Sequence, residues 1–195
     1  MNPKKLSMLF TLVFLAAVPF FAQAGKTCPP KLASLMPKDA VNLTENGEAD
    51  LPFEFRCPPP KKYPAHLKMT LKHCDEKAPE ACMSQQAFLE REMIVKDKAD
   101  MIKARDNVHN VAGITPVTEE TIAGGTAIYF ESEERCWAAG AGTVPSDLPY
   151  LPTINFKWYA HTKDSAIAIT ITGNMSVERA KEIVEEIEGK FRKQV

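Results

Sequence analysis

The stretch "KHCDEKAPEACM" holds His73, Cys74, Cys82 and Met83, four side chains acceptable as soft ligands for Cu(I) and, less well, for Zn. The two cysteines stand eight positions apart, wider than the spacing usual between paired zinc cysteines, and no second pair answers them. A redox dithiol would need a C-x-x-C at a helix start. A staple needs only proximity. Cys74 bonded to Cys82 closes the nine-residue loop "CDEKAPEAC", a closure that chain entropy credits with about 2.5 kcal/mol. The staple is the expected reading, and a metal site on His73, Cys74, Cys82 and Met83 is the alternative.

The compartment bears on that choice. The first 24 residues, "MNPKKLSMLFTLVFLAAVPFFAQA", combine Lys4 and Lys5, an apolar run from Leu9 to Phe21, and small residues at Ala22 and Ala24. That is the layout of a secretory signal peptide, with the mature chain expected to begin at Gly25. The run is broken by Pro19 and is shorter than the roughly 20 residues that span a bilayer, so no transmembrane segment is expected after cleavage. Export to an oxidising compartment makes disulfides the default for Cys28, Cys57, Cys74, Cys82 and Cys136. Five is odd, so one thiol is left over.

Strand geometry sorts the pairs. Cys57 and Cys74 fall at opposite ends of an expected hairpin, roughly 25 Å apart at about 3.3 Å per residue, whereas a disulfide needs Cα atoms within about 7 Å. Cys28 with Cys57 closes 30 residues, a closure credited with about 3.6 kcal/mol, and pins the arm to the sheet. The expected bridges are therefore Cys74–Cys82 and Cys28–Cys57, with Cys136, in an apolar strand beside Trp137, as the free thiol.

Other chemistry is sparse. "GKT" at Gly25 resembles the end of a P-loop, but Phe20 stands where the first glycine belongs. "GAG" at Gly140 fails because Pro145 takes the place of the third glycine of a dinucleotide fingerprint. G-x-S-x-G is absent, and His66, His73, His109 and His161 sit mostly at strand or loop ends, so no catalytic residue is assigned. An unrecognised hydrolase, its triad assembled from distant positions, stays as a further alternative. The acids Glu182, Glu185, Glu186 and Glu188 fall opposite an apolar helix stripe, as on a solvated face. "CPPPKKYP" is a stiff connector that could also present a polyproline surface. With 24 basic and 25 acidic residues the net charge is −1, which gives no nucleic-acid footprint. No cofactor is expected.

The positioning elements emerge from periodicity. Residues 25–50 read as an arm and loop, with at most one helical turn around Leu32 to Met36. "LPFEFRC" alternates from Leu51 to Cys57 and "HLKMTLKH" from Leu67 to Leu71, an antiparallel pair with Pro52 marking an edge strand. "SQQAFLEREMIVKDKADMIKARDN" carries Phe88, Ile94, Val95, Met101 and Ile102 at helical spacing, with Ser84 as cap. "VTEETIAGGTAIYFES" reads as a hairpin turning on Gly124 and Gly125, and "RCWAAGAG" as a further strand. "INFKWYAH" and "SAIAITIT" set Ile154, Phe156 and Trp158 against Ile167, Ile169 and Ile171. The last helix is capped by Ser176, with Glu178 in its first turn and Lys190, Arg192 and Lys193 in its last. Its stripe is Val177, Ala180, Ile183, Val184, Ile187 and Phe191.

The sequence thus predicts an α+β domain over 51–195, an antiparallel sheet of about six strands packed by a mid-chain and a C-terminal helix. The C-terminal half, "VTEETIAGGTAIYF" through "INFKWYAHTKDSAIAITITGNMSVERAKEIVEEIEGKF", resembles the ending of PsbP-like and DcrB-like exported proteins. There a glycine-bearing hairpin, an aromatic strand, an aliphatic strand and a short turn lead into a final amphipathic helix. The resemblance implies an antiparallel sheet between helices and a non-enzymatic envelope role. The expectation is a periplasmic or secreted accessory protein that acts by binding, with an envelope protein as the expected partner.

Overall fold

The computed structural model describes residues 30–52, 54–55, 64–73, 79–107, 112–136, 149–162 and 165–193, with the side chains of 30, 31, 73, 79–86, 88 and 89 left aside. Three helices and six strands run in the order α1 (Pro30–Leu35), β1 (Glu48–Leu51), β2 (Ala65–His73), α2 (Pro79–Asp106), β3 (Thr118–Ile122), β4 (Gly125–Arg135), β5 (Tyr150–His161), β6 (Ser165–Gly173) and α3 (Val177–Phe191). The strands form one antiparallel sheet in the order β1-β2-β6-β5-β4-β3. The fold is α+β, with the two main helices on opposite faces.

The α3 face is a dense apolar core. In the β5–β6 hairpin Phe156 stands opposite Ile171 and Trp158 opposite Ile169, and all four are fully buried. Trp158 donates its indole N–H to the carbonyl of Ile122 at 2.8 Å, so its one polar atom is satisfied. The α3 stripe expected from the sequence is the buried one. Ser176 caps the helix by accepting from the Arg179 N–H at 3.3 Å. A carboxylate joins from far along the chain: Glu54 accepts from the Ser176 N–H at 2.8 Å and from its hydroxyl at 2.7 Å. An anion at a helix start suits the dipole.

Leu32, Leu35, Met36, Ala49 and Leu51 belong to the same core as the C-terminal helix. Strand β1 ends at Leu51, the residue at which the sequence predicts a strand 51–57 to begin. Pro52 lacks the N–H that would continue the ladder, so β1 pairs with β2 through Glu48–Leu51 instead. Helix α2 starts at Pro79, five residues before the expected cap Ser84. Proline is favoured at a first helical position because its missing N–H has no partner there anyway. Cys82 and Met83 therefore lie within the helix and not before it.

The β3–β4 turn is Ala123–Gly124, with φ of 48° and 70°, one residue earlier than expected. Gly125 is the first residue of β4. A Cβ there would stand 2.4 Å from the Tyr159 carbonyl oxygen and 2.6 Å from the Trp158 ring, so Gly125 is needed for close approach and Ala123 accepts the positive φ.

Cys136, buried just beyond β4, is disulfide-bonded. It cannot be the free thiol. The expected bridges Cys74–Cys82 and Cys28–Cys57 fall on Cys28, Cys57, Cys74 and Cys82. The pairing of these four lies outside the described residues. The expected signal peptide 1–24, His109 and most of "RCWAAGAG" lie there too.

Candidate functional site

The outer face of the sheet is set by register. His66, Lys68, Thr70 and Lys72 of β2 stand beside Thr172, Thr170, Ala168 and Ala166 of β6, which stand beside Asn155, Lys157, Tyr159 and His161 of β5. Alternation puts the aliphatic partners of these residues on the α3 side. Helix α2 crosses this outer face over β4 and β5. It closes a small second core there, in which Met101 packs with Ile128, Phe130 and Tyr159, flanked by Ile94, Val117 and Ala168. Strand β4 is consequently buried on both sides from Ala127 to Phe130.

Polar contacts do much of the holding. Glu90, Ile94, Asp97 and Met101 recur at helical spacing on the side of α2 that meets the sheet. Asp97 receives the Lys157 ammonium at 2.8 Å and the Tyr159 hydroxyl. Burial would raise the Asp97 carboxyl, but the Lys157 and Tyr159 hydrogen bonds, with the charges of Lys157 and Lys96, outweigh it and keep the group below the ordinary carboxylate range. Burial, and then its bond to Asp97, pushes the Tyr159 phenol far above its usual value. Tyr159 is thus a fixed neutral donor. Toward the N-terminus of the helix, Glu90 faces His161 Nδ1 at 2.7 Å.

Among the described residues, α2 reaches the Ala166–Ala168 end of β6 and leaves β1, β2 and the Thr170–Thr172 end of β6 without a helix above them on this side, and two depressions lie there. One is a cleft of ≈ 170 Å³ at the helix edge, lined by Thr70, Lys72, Glu90, Met93, Tyr159, Ala160, Ala166, Ile167 and Ala168. The other is a larger hollow of ≈ 460 Å³ between Asn42, Thr44, Glu48, Ala49, Asp50, His66, Leu67, Lys68, Thr170 and Thr172. Cross-strand pairs rim the hollow: Glu48 with Lys68 at 2.7 Å and Asp50 with His66 at 2.7 Å.

The backbone places His73 as the last residue of β2 and Cys82 and Met83 in the opening turns of α2, while Cys74 and the side chains of all four lie outside the described residues. Among the described residues no group of three or more His, Cys, Asp or Glu side chains could hold a metal ion, and no helix is long and apolar enough to cross a membrane. His66 and His161 each face a carboxylate. The residues around the cleft were not singled out from sequence, although β6 carried a signal. "SAIAITIT" keeps isoleucine on its inner side while its outer side changes from Ala166 and Ala168 to Thr170 and Thr172. The alanines lie where α2 passes, and the threonines where the sheet is open. No protein-family model and no curated protein matches the chain.

Proposed function

We propose that the chain is an exported, non-enzymatic envelope accessory protein that acts by binding through the half of the sheet left open by α2. The observation that carries this reading is the asymmetry of cover. A sheet face of β1, β2 and β6 that adjoins a helix-edged cleft is a preformed concave surface, and such surfaces at element junctions are the ordinary seats of ligands. The N-terminal layout of Lys4, Lys5 and the run Leu9 to Phe21 supports export. The Cys136 disulfide supports an oxidising compartment. The resemblance of the C-terminal half to PsbP-like and DcrB-like proteins supports an envelope role.

Two measurements test it. Protein recovered from the envelope of an expressing bacterium is expected to begin at Gly25, and an intact N-terminus would count against export. A small-molecule fragment screen followed by amide chemical shifts is expected to perturb Thr70, Ala168, Thr170 and their neighbours on the open half. Responses confined to the α3 side, or none at all, would overturn the binding surface.

A further inference from the structure

The cleft beside α2 is lined mainly by carbon. Ala166 and Ala168 form its floor and Met93 overhangs it from the helix. Its ≈ 170 Å³ is on the scale of the ~150 Å³ apolar cavity that takes up benzene. One ring or a short alkyl chain would fill it.

Charge at the rim is uneven. The Glu90 carboxylate is already met by His161 at 2.7 Å, and Tyr159 donates its hydroxyl to Asp97, which also holds Lys157. Lys72 is different: it lies exposed at the cleft and makes no ion pair or hydrogen bond with any described residue. A cationic ligand would share the Glu90 carboxylate with His161. An anion needs no such sharing, because Lys72 is open to it, and the Thr70 hydroxyl is a neighbouring donor on the same strand face.

Resting on the binding role proposed above, we propose that this cleft takes a small amphipathic anion, a carboxylate on a single ring or short alkyl chain. The carboxylate sits on Lys72 Nζ. The apolar body lies between Met93 and the two alanines, where it removes carbon surface from water.

The test is an amide chemical-shift titration of the full chain with 3-phenylpropionate and with its uncharged amide, 3-phenylpropanamide. The carboxylate is expected to perturb Thr70, Lys72, Ala166 and Ala168 and to bind about two- to fivefold more tightly than the amide, the scale of one exposed ion pair. Lys72→Gln changes an exposed side chain and leaves the fold intact. It is expected to remove the carboxylate's advantage while leaving amide binding unchanged. Ala166→Leu, which fills the floor, is expected to abolish binding of both. Equal affinity for the two probes, or an advantage that survives Lys72→Gln, would overturn the anion assignment while the binding surface stands. Absence of shifts in the cleft with either probe, while fragments still perturb Thr170 and Thr172, would overturn the cleft alone. Silence across the whole open half would overturn the surface as well.

Discussion

On the α3 side of the sheet, Phe156, Trp158, Ile169 and Ile171 meet Ile183, Val184 and Ile187 with every one of these side chains fully or almost fully buried. On the α2 side, Met101 is the one buried helix side chain among the described residues, and the helix is tied down by Asp97 to Lys157 and Tyr159 and by Glu90 to His161. The first face is held by area removed from water, which is insensitive to direction. The second depends on a few directional contacts in a partly dry junction, where each polar group is costly once it loses its partner. The α3 face is therefore the stable platform, and the α2 side is the place where the structure can expose or cover a surface at modest cost.

The largest expected effect tests that ranking directly. Trp158→Ala removes a fully buried ring and leaves the Ile122 carbonyl without its donor, for a loss of about 3–5 kcal/mol. Met101→Ala removes a buried side chain beneath a helix that can settle, and is expected near the low end of the large-to-small range, about 2 kcal/mol. Denaturant midpoints at constant m-value give both numbers. A cost for Met101→Ala equal to that of Trp158→Ala would mean that α2 is as firmly built in as α3.

Next in size is Tyr159→Phe, which keeps the ring in the second core and deletes only the hydroxyl. Asp97 then loses a donor in a junction where its own side chain is only 16% exposed, at a cost of about 1–3 kcal/mol. The expected signature is local. Amides of α2 should exchange faster while those of β5 and β6 below Trp158 keep their protection, since regions with few apolar contacts open independently of the core. Uniform loss of protection would merge the two faces into one cooperative unit.

How far the sequence carried obeys the same division. The α3 face was legible because its order is periodic: the stripe from Val177 to Phe191, the cap at Ser176 and the alternation of "INFKWYAH" against "SAIAITIT" are local patterns, and local patterns survive folding unchanged. The α2 face was not, because Asp97 and Tyr159 lie 62 positions apart, and nothing in the sequence near either says that they meet. The helix start was missed because Pro79 reads as a turn residue, whereas its place at a first helical position depends on a helix forming after it. Strand β1 was misplaced because "LPFEFRC" alternates better than "EADL", although Pro52 removes the donor that the ladder needs. Cys136 looked apolar and buried, which it is, but burial describes a bonded sulfur as well as a free one.

Acid separates the junction further. The folded Asp97 carboxyl is held below its ordinary value, so its contribution is fully present above the unfolded value of about 3.9 and is lost as pH falls through the lower folded value. Glu120, lowered by its bonds from Lys181 and Tyr129, titrates with the same sign on the α3 side, so the wild-type acid limb alone cannot assign the effect. Asp97→Asn isolates it. The stability difference between wild type and Asp97→Asn is expected to be constant above about pH 5 and to shrink progressively below about pH 4. A difference that does not vary across that range would show that Asp97 is not held low by the junction.

The smallest expected effect concerns a third ion pair between α2 and the sheet. Lys98 reaches Glu119 of β3 at 2.6 Å, but the two side chains are 40% and 42% exposed, against 24% and 16% for Lys157 and Asp97. An exposed pair of this kind contributes about 0.2–1 kcal/mol because water screens the attraction and ordering two long side chains opposes it. Lys98→Ala is therefore expected to cost less than Tyr159→Phe, and its cost should vanish in high salt, where exposed charges are screened over about 3 Å at about 1 M. The loss from Tyr159→Phe should persist there, because a partly buried bond to a neutral phenol is little affected by mobile ions. If instead salt erased the Tyr159→Phe penalty as well, the α2 attachment would be a surface electrostatic contact throughout, and the cleft beside Lys72 would lack the fixed roof that binding at Met93 requires.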